Sequence, residues 1–296
     1  MTNNIKSSLA ALTLVTVTSV YASDTGTQPV RPVEFTVGTE FYNENYREYS
    51  SDDNSFRGLS NGERLMQQKS NLWSLTGGVK YHFNNRHSAK FEGRYSRGKS
   101  DYTGRLMDPT TGTIGSFGEY KFTNSPRRVY DLRASYEYTH PINERLSITA
   151  GAGLGHRVLR DLNTRASEAT EGHRDRKQQT TYAQISTGMN IALPAQFEIT
   201  PRISYNHMLR GRQYSYPSGQ SVEMKQSGGQ GIEIEVPVSK KLANRSKVSV
   251  TPFYRGWRVK RSDDAIHYSS IYNAYLASYE PKNYTHEAGM KLQYSF

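Results

Sequence analysis

The thirteen residues 284–296 (YTHEAGMKLQYSF) alternate with a period of two. Tyr284, His286, Ala288, Met290, Leu292, Tyr294 and Phe296 fall on one face, and Thr285, Glu287, Gly289, Lys291, Gln293 and Ser295 on the other. Successive side chains of a β-strand point to opposite faces, so this is a strand with one largely apolar and one polar face. The pattern recurs upstream at about the length, roughly 9–11 residues, that crosses a bilayer as a tilted strand. In lipid such strands must hide their polar faces and leave no edge unpaired, and a closed barrel does both. A soluble secreted sandwich would instead have to bury the apolar faces on each other. Composition favours the barrel: only 35% of residues are hydrophobic, as expected when one face of each strand meets lipid. Tyr outnumbers the other aromatics, 22 against 10 Phe and 2 Trp, and its apolar ring with a polar tip suits the two interfacial belts. Cys is absent, which removes any disulfide framework or thiolate metal site.

The amino terminus carries a second signal. Lys6, the apolar run 9–20 (LAALTLVTVTSV) and Val20-Tyr21-Ala22 read as a secretory signal peptide cleaved after Ala22. The expected organisation is a signal peptide over 1–22, a periplasmic segment over 23–32 and an outer-membrane barrel over 33–296. The expected fold is all-β, a transmembrane antiparallel up-and-down β-barrel of about ten strands. The first (about 33–46) puts Phe35, Val37 and Phe41 outward; the others follow near 71–83, 88–98, 128–139, 145–158, 180–192, 197–210, 228–238, 247–260 and 284–296. Long polar loops are expected near 47–70, 99–127, 159–179, 211–227 and 261–282, and short turns at the other end. An even count leaves both termini and the short turns in the periplasm. Twelve strands, with a hairpin inside the second long loop, is the alternative. Pro201 and Pro252 each cost a ladder donor inside a strand, and a bulge is expected at Gly256-Trp257.

The same alternation sends a mixed set of charges inward: Lys80, Lys90, Arg94, Arg133, Arg202, Arg255 and Lys291 with Glu92, Asp131, Glu137, Glu198, Glu233, Glu235 and Glu287. Opposite charges at this density pair, since an unpaired charge in a dehydrated lumen is costly. A salt-bridged, largely closed lumen is therefore expected, whereas a selective pore would show one dominant sign along its wall. Gly151, Gly153 and Gly155 face inward on the fifth strand and leave room that large side chains such as Arg133 or Arg202 would fill. The rest of the basic excess, a net charge of +11, is expected at the outer rim: Arg97, Lys99, Arg105, Arg127, Arg128, Arg157, Arg160, Arg165, Arg174, Arg176, Lys177, Arg210, Arg212, Arg258, Lys260 and Arg261. Such a collar suits outer-membrane lipid and lipopolysaccharide, or an extracellular polyanionic ligand. Nothing in the fold would read a nucleic-acid groove. The eight histidines are scattered, so no metal site is expected, and no cofactor motif occurs.

Several resemblances add to this reading. The two-faced last strand ending on Phe296 resembles the closing strand of bacterial outer-membrane barrels, which implies recognition of Phe296 by the barrel-assembly machinery. Trp257-x-Val259-x-x-Ser262, then Glu280-Pro281-Lys282-Asn283-x-Thr285-x-Glu287-x-Gly289 and the final Phe296, resembles an outer-membrane barrel family without an established activity. That implies a structural role for Glu280 and Asn283 before the last strand. Strand count and loop asymmetry are similar to the omptin proteases, whose chemistry needs a close aspartate pair and an Asp-x-His pair. Here the second loop offers Asp101 and Asp108, seven apart, no Asp-x-His occurs, and residues 211–227 hold no Asp or His. His267-Tyr268-Ser269 with Glu280 or Glu287 downstream is similar to the His-x-Ser and later Glu of outer-membrane lipid A deacylases, which implies Ser269 as nucleophile, His267 as base and Glu280 or Glu287 as its orienting carboxylate. The chain is thus expected to be a structural or adhesion-type surface protein, with a narrow porin-like diffusion channel and an ester-cleaving enzyme as rivals.

Overall fold

The computed structural model describes residues 32–51, 59–106, 113–166, 174–216, 221–243, 246–269 and 273–296. The expected signal peptide over 1–22 and nearly all of the segment 23–32 lie outside them, as do Asp108 and His173. The described chain is a closed antiparallel barrel. Its strands are β1 (Val33–Tyr49), β2 (Arg64–His82), β3 (His87–Gly104), β4 (Tyr120–Pro141), β5 (Leu146–Asp161), β6 (Asp175–Ala192), β7 (Phe197–Ile199), β8 (Arg202–Tyr216), β9 (Val222–Gln226), β10 (Gly229–Glu235), β11 (Val238–Lys241), β12 (Lys247–Val259) and β15 (Lys282–Ser295). A separate hairpin of β13 (Ala265–Ser269) and β14 (Ala274–Ser278) rises from the last long connection. Successive strands pair from β1 to β6, then β6 with β8, β8 with β10, β10 with β12, β12 with β15 and β15 with β1. Since β7–β8 and β9–β10–β11 are interrupted single staves, the barrel has ten.

Closure can be followed residue by residue. Phe296 pairs with Phe35, and the row continues through Val79, Phe91, Ala134, Leu154, Ala183, His207, Gln230 and Arg258. It returns to β15 at Tyr284, twelve positions before Phe296. That stagger tilts the strands, by about 40° for barrels of this kind. Every cross-strand row therefore climbs from the periplasmic end towards the long connections.

The lipid-facing band follows the alternation. Phe35, Val37 and Phe41 of β1, Leu132 and Tyr136 of β4, and Leu292 and Met290 of β15 are exposed outward. The strands outrun that band: β2 has 19 residues and β4 has 22, where about ten suffice to cross. Much of the expected loops at 47–70, 99–127, 159–179 and 211–227 is therefore strand, and β3 pairs with β4 as far as Gly104–Tyr120. There is no additional hairpin among the described residues of the second loop, and ten strands stand over twelve.

The expected irregularity at Pro201 is present, between β7 and β8. Pro237, not singled out from sequence, interrupts the neighbouring stave between β10 and β11. At Pro252 the expectation fails, for β12 runs through it without a register shift. Its carbonyl accepts from Val236 at 3.1 Å, so its missing donor faces the gap already made at Val236-Pro237. The bulge expected at Gly256-Trp257 is also absent: pairing with β10 and β15 is regular, and plain alternation turns Trp257 inward. Shifts occur instead at Glu48/Tyr49, Ser100/Tyr102 and Thr181/Tyr182.

Candidate functional site

The interior is stratified along the barrel axis. The periplasmic half holds a cavity of ≈390 Å³ lined by Lys80, Lys90, Glu92, Arg202, Glu235 and Lys291 among others, and reaching the turn at Asn84–His87. Here the pairs are Lys80–Glu137 at 2.7 Å, Lys90–Glu92 at 2.8 Å, Arg133–Glu233 at 3.0 Å and Lys291–Glu235 at 2.9 Å. Arg202 also pairs with Glu137. Glu198 stands apart, 3.6 Å from Lys241 near the short turns.

Above the cavity the network crosses the lumen. Glu287 of β15 lies 2.9 Å from Arg94 of β3, 2.7 Å from Arg157 of β5 and 3.5 Å from Arg255 of β12. Arg255 also chelates Glu40 of β1 at 2.8 and 3.1 Å, and Arg94 reaches Asp131 at 3.6 Å. One turn of the ladder higher, Arg127 of β4 is fully buried and pairs with both Glu44 of β1 and Asp161 of β5. Charge-assisted contacts this short, with both partners desolvated, are strong and directional. Between these layers Tyr42, Leu72, Val129, Leu159 and Phe253 form an apolar cluster inside the barrel. Arg94 sits 5.5 Å from the Tyr42 ring, within cation–π reach.

The glycine wall of β5 is occupied. A Cβ on Gly155 would lie 2.2 Å from the Tyr182 ring. Tyr182 packs edge-on against Trp257 at 5.2 Å, donates to Asp131 at 2.9 Å and accepts from Arg133 at 3.2 Å. The expected filler Arg133 thus acts through Tyr182. Arg202 reaches the wall only at its lower end, through Glu137 beside Gly151.

Three cations expected at the outer rim turn inward: Arg127, Arg157 and Arg176. Each shares a face with inward neighbours on its own strand, but Arg127 and Arg176 fell before the expected strand starts at 128 and 180, and Arg157 at the end of the strand expected to finish at 158. Their β1 partners Glu44 and Glu48 were missed, as was Glu40, which pairs with Arg94 and Arg255, although the outward Phe35, Val37 and Phe41 already put even-numbered β1 residues inside. Tyr42 and Tyr182 lie inside expected strands but were not named as fillers, and Trp257 was set aside by the bulge expected there.

At the outermost level, Tyr46 hydroxyl lies 2.7 Å from Glu280 and 3.1 Å from Glu48, and Arg176 donates to Glu48 at 2.7 Å. Burial, with the Glu48 charge beside it, pushes the Glu280 carboxyl up to about 8. The Glu280 backbone exchanges hydrogen bonds with Ser262 at 2.8 and 3.0 Å, and Asn283 caps Pro281 at 3.2 Å. Both therefore fix the entry to β15. His267 and Ser269 are carried away on the β13–β14 hairpin, where His267 stands opposite Leu276. Among the described residues no hydrogen bond links His267, Ser269 and Glu280, whose carboxyl and backbone contact Tyr46 and Ser262 instead. No metal-binding cluster occurs among the described residues.

With this geometry established, comparison with known proteins gives the class. Residues 8–234 match the family model for the outer membrane protein beta-barrel domain. The chain belongs to that family, and its place is the bacterial outer membrane. No curated protein matches it. Among solved structures it is similar to the outer membrane protease OmpT of Escherichia coli, with a TM-score of 0.62, 13% identity, and coverage of 91% of this chain and 99% of that one. It also matches the translocator domain of the autotransporter NalP of Neisseria meningitidis (TM-score 0.41, 9% identity, 89% and 88% coverage). A third is the toluene transporter TodX of Pseudomonas putida (TM-score 0.36, 8% identity, 90% and 90% coverage). The likeness to OmpT is one of fold alone.

Proposed function

We propose that this barrel is closed to solutes and acts through the part that stands above the membrane, as a structural or adhesion-type surface protein without proteolytic or esterase activity. The observation that carries the reading is the cross-lumen network centred on Glu287, Arg94, Arg157 and Arg255. Opening a path would pull apart buried, mutually paired charges, at a cost of several kcal/mol each. The surface part offers Ile266 and Tyr275, exposed at 76% and 77% on the β13–β14 hairpin, beside the basic side chains of the rim. Together they suit an extracellular polyanion that also presents an apolar face.

The test is retention of outer-membrane vesicles carrying the barrel on an immobilised sulfated glycan. Salt-sensitive retention that drops when residues 265–278 are excised supports the reading. Retention no greater than that of vesicles lacking the protein sinks it. The periplasmic cavity favours a second reading, a narrow diffusion channel whose upper plug shifts.

A further inference from the structure

Four cations stand side by side on the outer wall. Arg97 of β3 pairs in register with Arg128 of β4, Arg128 with Arg160 of β5, and Arg160 with Lys177 of β6. All four share a face with the lipid-facing residues of their strands, as Arg97 does with Tyr95 and Arg128 with Tyr130. An aromatic ring closes each end of the row: Arg97 lies 5.6 Å from Trp73 and Lys177 4.2 Å from Tyr214. None of the four makes an ion pair with any described residue, whereas the arginines of the lumen are paired throughout.

Like charges directly opposite one another on neighbouring strands destabilise a sheet. Four in succession, spaced about 5 Å apart and spanning about 14 Å, ask for an external anion. Their position says which. The row begins beside Phe41 and Trp73, with Phe41 exposed at 61% to lipid. The Tyr95–Tyr130 pair, 5.0 Å between centroids, lies directly beneath Arg97 and Arg128. Tilt then carries Arg160 and Lys177 higher, away from the hydrocarbon. Phosphate at one depth, as in a phospholipid, would meet only the lower end.

We propose that Arg97, Arg128, Arg160 and Lys177 form a binding site for one outer-leaflet glycolipid bearing phosphates on successive sugars, its acyl chains lying on the wall below Tyr95 and Tyr130. The site is fixed by register and is confined to one sector, unlike an even basic collar. It is independent of whether the lumen conducts.

The probe is O-antigen-free, bisphosphorylated lipopolysaccharide, titrated onto the delipidated full-length barrel in detergent and read by native mass spectrometry. One lipid should bind, and the triple variant Arg97→Gln, Arg128→Gln, Arg160→Gln should weaken it on the order of a hundredfold, taking each cation at its usual worth against an anionic lipid surface. Removing the same charge from the periplasmic side, with Arg86→Gln, Arg145→Gln and Lys240→Gln, should leave binding unchanged. Arg128→Glu guards against misfolding: it supplies the missing partner to Arg97 and Arg160, so the lipid-free barrel should melt higher while lipid affinity falls. The proposal is overturned if the triple variant binds like the native chain, or if phosphatase-treated lipid or phosphatidylglycerol binds equally well. Displacement by millimolar inorganic phosphate would likewise contradict a lipid site.

Discussion

Glu287 is held among three arginines from three other strands, Arg94, Arg157 and Arg255. Glu287→Ala would leave Arg94 and Arg157 only their longer contacts to Glu40, Asp131 and Glu44, with Arg255 still on Glu40, and uncompensated buried charge of this kind costs about 3–5 kcal/mol. The expected outcome is a barrel that still folds but loses its heat-resistant, fast-migrating form at markedly lower temperature. A melting temperature equal to that of the native chain would deny the network its role. Glu280 makes a second residue-scale test, above the lipid-facing band. Its carboxyl is raised from 4.5 to about 8, so the folded state holds a proton that the unfolded chain releases. The stability this lends is complete below pH 4.5, declines as the pH rises, and is gone above pH 8. The native melting temperature should therefore fall across that window, and Glu280→Gln should flatten the fall. At this scale the sequence was readable wherever one face met lipid, as at Phe35, Val37 and Phe41. It was unreadable at Arg127 and Arg176, because above the membrane both faces of a strand can be polar and alternation loses its contrast, whereas Arg157 continues the inward row of Gly151, Gly153 and Gly155.

At the scale of elements, the same loss of contrast explains why strand cores were legible and strand ends were not. Segments such as 120–127 are rich in polar and turn-favouring residues, yet they pair with β3, across one register shift, and join β5 at Arg127–Asp161. Tertiary pairing decides there, as it does at Pro252, where a gap in the next stave absorbs the missing donor. The closing strand was read correctly in full. Phe296 stacks on Tyr294 at 5.7 Å and on Phe35 at 5.9 Å, and its backbone exchanges two hydrogen bonds with Phe35. If the barrel-assembly machinery reads this residue, deleting Phe296 should sharply lower the amount of folded barrel in cells while refolding in detergent proceeds. Equal cellular levels of the folded form, followed by heat-modifiable migration, would remove that role.

For the whole molecule, ten strands with a stagger of twelve make a cylinder whose bore side chains can fill, and the filling is uneven. The periplasmic half is a polar cup, and the upper half is a plug of charge and aromatic rings built from every part of the wall. The mixed sign of the inward residues was visible in the sequence; their layering was not, since it depends on strand stagger, which no local pattern specifies. The central claim is that this plug closes the barrel. Single-channel recording of the refolded protein in a planar bilayer tests it most directly. A closed plug gives no discrete conductance from a barrel shown to be folded by heat-modifiable migration, and steps appear in Tyr182→Ala, where the glycine wall of β5 is uncovered. Discrete steps from the native chain, well above the lipid background, would contradict it.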